Sequence, residues 1–581
     1  MLMDILKASR LDSIIQRFRN SEFAFGTTLA VIVGIAAGLG AVAFRWLIRF
    51  FHQLFFSGGA DALGFLGQYY VILLPAVGGL IVGLLIHFSG AKETKGHGVP
   101  EVMEAVVKTG GRIRARVAAV KILASSICLG SGGSAGREGP IVQIGSTVGS
   151  VLGQRLHLPQ EWIKTLLACG AAGGISATFN APIAGVFFAH EVILGRIFTR
   201  HFGFVVISSV IADVLAHAFL GNLQTFSVPA YTLSSYWELT LYFMLGIACA
   251  FIAVVFIRSL YKAEDIFNAA KIPGYLKPAL GGIAVGLIGL YNPYLFGVGY
   301  DGVEQALLGQ IGLITLAALL LLKILATSFT LGSGGSGGIF APSLFMGAMF
   351  GGVFGNIANR LLPGIVAPSG AYALVGMAAV FSAAARAPIT AIIILFEMTR
   401  DYAIILPLML AVVVSTLVAR SLSRESIYTL KLKRRGISFH PQEEIDLLER
   451  VTVKEVMTRK FPTVHSKVTL AEIAKRFAKS KHHGFPVVDE KGKLKGMVTL
   501  ADIEANMSSN QELTVADIAT VNLITAYPDE SLHDVVHRLG TTEVGRIPVV
   551  DRKDPSRLVG VLRRYDIVKA YAKAIAKLPR G

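Results

Sequence analysis

The sequence is short of charge and of cysteine, and each shortage removes a class of protein. Only 16% of its 581 residues are charged, while 53% are hydrophobic and the mean hydropathy is +0.60; a soluble globular domain carries about 25% charged residues. A mainly soluble chain is excluded, and so is a disordered one. The three cysteines, Cys128, Cys169 and Cys249, lie in apolar runs with no paired spacing. That supports neither a disulfide framework nor a zinc site, and no metal is expected.

The little charge present is uneven. Residues 441–581 hold 23 Lys+Arg and 19 Asp+Glu, 30% of that stretch, leaving 32 basic and 19 acidic residues, about 12%, in the first 440. A membrane body over 1–435, a linker over 436–450 and a polar tail account for the split. The net charge of +17 does not point to nucleic acid, because 13 of those charges belong to the apolar part, where the positive-inside bias explains them. The N-terminus carries Lys7, Arg10, Arg17 and Arg19 and lacks the short apolar region and cleavage site of a signal peptide. A multi-pass protein of the cell (inner) membrane is expected, with both termini cytoplasmic.

Apolar stretches near 26–54, 69–88, 203–221, 237–260, 312–331 and 403–420 are long enough to cross a hydrocarbon core of about 30 Å. Shorter runs broken by Gly and Pro fall near 116–130, 140–153, 163–178, 183–198, 339–360, 370–382 and 388–399. Several are expected to end inside the membrane, where backbone needs protein or water to satisfy it. Interrupted helices of this kind point to a transport pathway.

The chain also repeats itself. Residues 121–136 (KILASSICLGSGGSAG) and 323–338 (KILATSFTLGSGGSGG) share 12 of 16 positions at an offset of 202. At an offset of 206, Ala181-Pro182-Ile183 matches Ala387-Pro388-Ile389 and Glu191 matches Glu397. The body is therefore a duplication, with halves of about 20–225 and 226–435, and paired Gly-interrupted segments in two halves mark a midplane binding site. The tail repeats too: His483 to Asp489, Gly496 to Thr499 and Asp502 return as Gly545 to Asp551, Gly560 to Arg563 and Asp566. Short strands alternating with amphipathic helices near 469–480 and 530–539 give two α/β modules, 451–507 and 514–573.

The chemistry gathers on the Gly-rich loops. Gly130 to Pro140 and its twin Gly332 to Pro342 each lead into an apolar helix. Backbone N–H groups at a helix start hold anions without a basic side chain, and weak binding at several sites permits conduction. Glu138 is the exception, a carboxylate in an apolar body and hence a functional candidate. It either gates an anion site by its protonation or pairs structurally with Arg137. A serine-hydrolase reading of Gly132-Gly133-Ser134-Ala135-Gly136, with His190 as base, is set aside because the pattern recurs at Gly334 to Gly338; no enzyme is expected.

Three motifs in this order and spacing, Gly96-His97-Gly98-Val99-Pro100-Glu101, Gly136-Arg137-Glu138-Gly139-Pro140 and Gly338-Ile339-Phe340-Ala341-Pro342, carry a family resemblance. Over roughly residues 20–435 the chain resembles the CLC chloride channels and proton-coupled chloride transporters. The resemblance implies an all-α polytopic membrane protein with an inverted internal repeat, working as a homodimer in the lipid bilayer with one chloride pathway per subunit. It gives Glu138 the role of gate, and places His97, Gly98, Arg137, Gly139, Ile339, Phe340 and Tyr428 around the anion. His97 stands where the family usually has Ser or Pro; it either reaches the central site, making binding pH-dependent, or faces the cytoplasmic vestibule. Val192 stands at the internal proton-transfer position, a glutamate in many exchangers. This favours a passive chloride channel over a chloride/proton antiporter on the same scaffold.

The tail resembles a pair of CBS domains, a C-terminal α/β unit. That resemblance implies an adenine nucleotide (ATP, ADP or AMP) held by Thr499, Asp502 and Asp566, or a purely structural tail. A membrane-anchored nucleotide sensor is the distant alternative, and the duplicated loops argue against it, since an anchor needs no broken helices.

Overall fold

A computed structural model describes residues 21–196, 201–221, 226, 231, 235–363, 366–437, 439, 451–480, 482–507, 512–539 and 545–577. The N-terminal basic residues and nearly all of the 436–450 linker lie outside these. The chain divides into two compact units, Met1–Pro441 and Gln442–Gly581.

Among the described residues of the first unit, six helical segments are long and apolar enough to cross a membrane: Glu22–Ser89, Phe202–Leu220, Glu238–Ala269, Leu313–Gly332, Phe340–Leu361 and Ile405–Leu422. Among them pack shorter helices, including Arg116–Gly130, Pro182–Phe188, Ser369–Ala385 and Pro388–Thr399. At 1.5 Å per residue the 12-residue Pro388–Thr399 extends only about 18 Å.

Three runs that the sequence presents as broken are continuous. Residues 140–153, 163–178 and all but the first of 339–360 lie in helices of 18, 20 and 22 residues, Glu138–Arg155, Gln160–Phe179 and Phe340–Leu361. Their glycines are packing surfaces rather than breaks. A methyl at Gly149 would collide with the Leu166 carbonyl, and methyls at Gly145 and Gly170 with each other's backbone. Gly347 and Gly351 sit in the same way against Gly376 and Tyr372. Missing side chains thus let helix Glu138–Arg155 lie on Gln160–Phe179, and Phe340–Leu361 on Ser369–Ala385, at backbone contact. The prolines, Pro140 and Pro342, fall in first turns, where no intrahelical N–H is lost.

The duplication extends to backbone angles. Helices Gln160–Phe179 and Ser369–Ala385 end on Asn180 and Arg386, both left-handed at φ 59° and 62°, and each is followed by the Ala-Pro that opens the next helix. Arginine is an unfavourable residue there, and its side chain supplies the compensation. Its guanidinium donates to the carbonyls of Thr416, Ala419 and Ser423 at 2.7–2.9 Å, tying off the end of helix Ile405–Leu422.

In the second unit, strand Gly484–Val488 pairs antiparallel with Leu494–Thr499 and parallel with Val464–His465, and Arg546–Val550 pairs antiparallel with Leu558–Arg563. Helices Leu470–Lys479 and Leu532–Leu539 cover them. The two cores exchange their first segments: Val453 packs with Ile547, Val549 and Leu562, while Val515 packs with Val464, Phe485 and Val487.

The packing account predicts that Gly351→Ala lowers thermal stability by about 1–3 kcal/mol through overpacking. Gly203→Ala, which meets nothing within 4 Å, leaves the melting midpoint unchanged when both variants are followed by fluorimetric thermal unfolding in detergent.

Candidate functional site

The two Gly-rich loops meet inside the first unit and satisfy each other. The Gly136 N–H donates to the Gly338 carbonyl at 2.7 Å, and the Gly338 N–H returns a bond to the Gly136 carbonyl at 2.6 Å. The first motif joins them: the Gly96 N–H donates to the Gly335 carbonyl at 3.0 Å, and the Gly337 N–H to the Gly96 carbonyl at 3.3 Å. Ser125 and Ser336 share a hydroxyl hydrogen bond of 2.9 Å. The three motifs thus converge on one buried cluster. Glycine is required where they cross, because a methyl on Gly139 would strike the His97 carbonyl and one on Gly98 would lie 2.7 Å from the Gly139 carbonyl.

Glu138 opens helix Glu138–Arg155 and is only 1% exposed. One carboxylate oxygen accepts the Tyr300 hydroxyl at 2.9 Å, the other the Ala341 N–H at 3.3 Å. Ala341 lies in the first turn of Phe340–Leu361, so the carboxylate occupies the N-terminal, anion-attracting end of a helix from the other half. A methyl on Gly136 would overlap that carboxylate, so the glycine makes room for it. Among the described residues no ion pair joins Glu138 to Arg137. The Arg137 guanidinium instead lies 5.3 Å over the Tyr300 ring and donates to the Thr178 carbonyl at 3.4 Å.

Ile339 and Phe340 are buried beside this cluster, with the Phe340 ring 4.0 Å from that of Phe381 and 4.9 Å from that of Phe179. Tyr428 is fully buried, and among the described residues its hydroxyl has no hydrogen-bond partner. His97 is buried too; among the described residues its Nδ1 has no hydrogen-bond partner, and its ring stands edge-on to Tyr261 at 6.2 Å. The neighbouring Ile427 carbonyl accepts the Tyr261 hydroxyl at 2.5 Å.

Sequence reasoning missed two buried lysines that open the repeated segment. Lys121 donates to the Thr94 and Gly96 carbonyls at 3.0 and 2.9 Å, and its repeat partner Lys323 to the Leu295 and Gly297 carbonyls at 3.3 and 3.1 Å. Each staples a loop of its own half, and a lysine inside an apolar run was the available signal. Tyr300 was missed as well, since no motif contains it.

Val192 lies buried in the π-helical turn Ala189–Leu194. Glu191 beside it accepts the Ile389 and Thr390 N–H groups at 3.2 and 2.9 Å, and Glu397 reciprocally accepts those of Ile183 and Ala184 at 3.0 and 2.7 Å. Each half therefore caps a helix of the other with a glutamate, the reason for the matched pair seen in the sequence.

The sequence model for voltage gated chloride channels matches residues 78–420. The chain belongs to the CLC chloride channel family. CBS domain models match 453–508 and 515–573, so the polytopic helical body and the α/β tail expected from sequence are both present. Over 640 residues the chain is 30% identical to chloride channel protein CLC-f of Arabidopsis thaliana, covering 94% of this chain and 80% of that one. It is 33% identical over 415 residues to the H(+)/Cl(-) exchange transporter ClcA of Vibrio campbellii, covering 70% and 88%. A solved structure of a slow cyanobacterial Cl-/H+ antiporter is similar at a TM-score of 0.65 and 28% identity, over 71% of this chain and 97% of that one.

In the CBS pair of this CLC protein, Thr499 and Asp502 form a helix-capping box: both the Thr499 N–H and its hydroxyl donate to one Asp502 oxygen, at 2.8 and 2.7 Å. Asp566 is engaged differently. Arg563 grips it with two guanidinium bonds of 2.8 and 2.7 Å, and that carboxylate holds the guanidinium above its ordinary pKa. The two aspartates are thus not equivalent, because Arg563 stands where the first module has Thr499.

Glu191→Gln and Glu397→Gln each keep the side chain's size and lose its charge. Each is expected to lower thermal stability by about 1–2 kcal/mol, the difference between charged and neutral hydrogen bonds at a helix start, read as a lower melting midpoint in detergent.

Proposed function

We propose that this CLC protein carries chloride across the cell membrane through a pathway gated by Glu138. One observation carries the reading: a buried carboxylate lies on the Ala341 N–H at the start of an apolar helix, a place that attracts an anion. Ionised, Glu138 fills this place itself; protonated, it loses its charge and yields to chloride. Ile339 and Phe340 supply the neighbouring backbone N–H groups, and the Tyr428 hydroxyl, which has no partner among the described residues, donates to the inner anion. Gly98, Gly139 and Arg137 shape the passage around these groups, and His97 adds pH sensitivity at its inner end.

The passage acts as a passive channel. Val192 has no exchangeable proton, and the adjacent Glu191 is committed to capping a helix. A chloride/proton antiporter is the second reading, favoured by the likeness to an exchange transporter and to an antiporter. The protein works as a homodimer with cytoplasmic termini and no enzymatic step. Its modules over 451–507 and 514–573 bind an adenine nucleotide through Thr499 and Asp502, with Asp566 contributing when Arg563 releases it, and so regulate the gate.

In chloride-loaded liposomes, the wild type is expected to release chloride without uphill proton movement, and Glu138→Ala to do so faster and independently of external pH. Uphill protons driven by the chloride gradient would establish the antiporter instead, and no chloride efflux from either protein would refute the pathway. Asp502→Ala is expected to weaken ATP binding to the full chain about tenfold or more, the equivalent of one lost hydrogen bond to a charged group, in calorimetric titration; unaltered binding would remove that residue from the site.

A further inference from the structure

Tyr300 occupies an unusual position for a residue outside the three motifs. It is the first residue of helix Tyr300–Leu307, one past Gly299, which is left-handed at φ 81°. The first half has a matching arrangement, with helix Val99–Lys108 opening one residue past Gly98 at φ 87°. Both turns follow the loops stapled by Lys121 and Lys323. Where the first half presents Val99, with no polar side chain, the second presents a phenol, and that phenol reaches Glu138.

The ring is held on two sides. Arg137 lies over one face at 5.3 Å, and Phe226 meets the ring edge-on at 5.2 Å. Lys323 holds the Leu295 and Gly297 carbonyls just ahead of it, and its ammonium lies 3.0 Å from where a Gly299 methyl would stand, so the turn that aims Tyr300 is held from beneath. Tyr300 and Arg137 also line a cavity of about 190 Å³, whose other walls include Arg45, Asp213 and His217. The phenol therefore stands between that cavity and the buried carboxylate, donating inward at 2.9 Å.

We propose that Tyr300 is a positioning residue for the gate: its hydroxyl latches the ionised Glu138 carboxylate in the blocking position, and Arg137 and Lys323 hold the latch in place. This rests on the reading of Glu138 as gate. A phenol O–H donates well to a carboxylate and gains less from a neutral acid, so the latch acts in the ionised, closed state. Acidification releases both gate and latch together. The charged and titratable groups that face this pair are Arg137, Arg45, Asp213, His217 and Tyr428, and Tyr300→Phe alters none of them. It also keeps the ring contacts to Arg137 and Phe226.

The test is chloride efflux from liposomes carrying the full-length chain, recorded across a range of external pH for the wild type, Tyr300→Phe, Glu138→Gln and the double variant. Losing one hydrogen bond to a charged group corresponds to about one pH unit or more. Tyr300→Phe is therefore expected to move the acid-activation midpoint up by about that amount and to raise flux at neutral pH about tenfold, while the double variant matches Glu138→Gln alone. If Glu138→Gln abolishes the pH dependence and Tyr300→Phe keeps the wild-type midpoint, the latch is refuted and the gate stands. If Glu138→Gln itself retains the wild-type pH dependence, the gate reading fails and the latch fails with it. A shift that persists in the double variant would make Tyr300 a packing residue and also overturn the proposal.

Discussion

Backbone that stops inside an apolar body must find partners for its polar groups, and this one requirement shapes the membrane unit. Two loops break helices there, and their glycines answer the requirement mutually, Gly136 and Gly338 exchanging both of their hydrogen bonds. That exchange brings two helix starts, Glu138–Arg155 and Phe340–Leu361, to one place. Helix starts gathered in a medium of low polarity attract negative charge. A carboxylate or a small anion completes the arrangement; an apolar side chain would leave the Ala341 N–H without a partner.

The halves are equivalent in construction and unequal in chemistry. Buried lysines, paired glutamate caps and left-handed helix ends recur in both. At the loop itself the duplication breaks, because Glu138 in one half corresponds to Phe340 in the other at the offset of 202. The repeat builds the enclosure, and the departure from it places a carboxylate at its centre. Tyr300 is a second departure, providing a hydroxyl where the first half has only an aliphatic side chain.

Much of this was legible in the sequence because it is carried by local composition. Twelve shared positions in sixteen announced the duplication, and the charge split separated body from tail. The reading went astray over 339–360, where glycines look like breaks, because composition does not distinguish a glycine that ends a helix from one that admits a neighbour. Gly351 does the latter, and only the Tyr372 backbone across from it reveals this. Tyr300 was hidden for another reason: its partner lies 162 residues away, and nothing in its own surroundings marks it; Lys323 was marked as a charge in an apolar run, but its partners about 27 residues away were not legible. The exchange of Val453 and Val515 between the two cores of the tail is likewise a property of tertiary packing.

The central claim is that the Glu138 carboxylate stands in an anion's place. The most direct test is the anomalous scattering of bromide in crystals of the Glu138→Gln protein. The account predicts a bromide peak within hydrogen-bonding reach of the Ala341 N–H, where the wild-type carboxylate lies. Bromide found only at the protein surface, with nothing at that helix start, would contradict it.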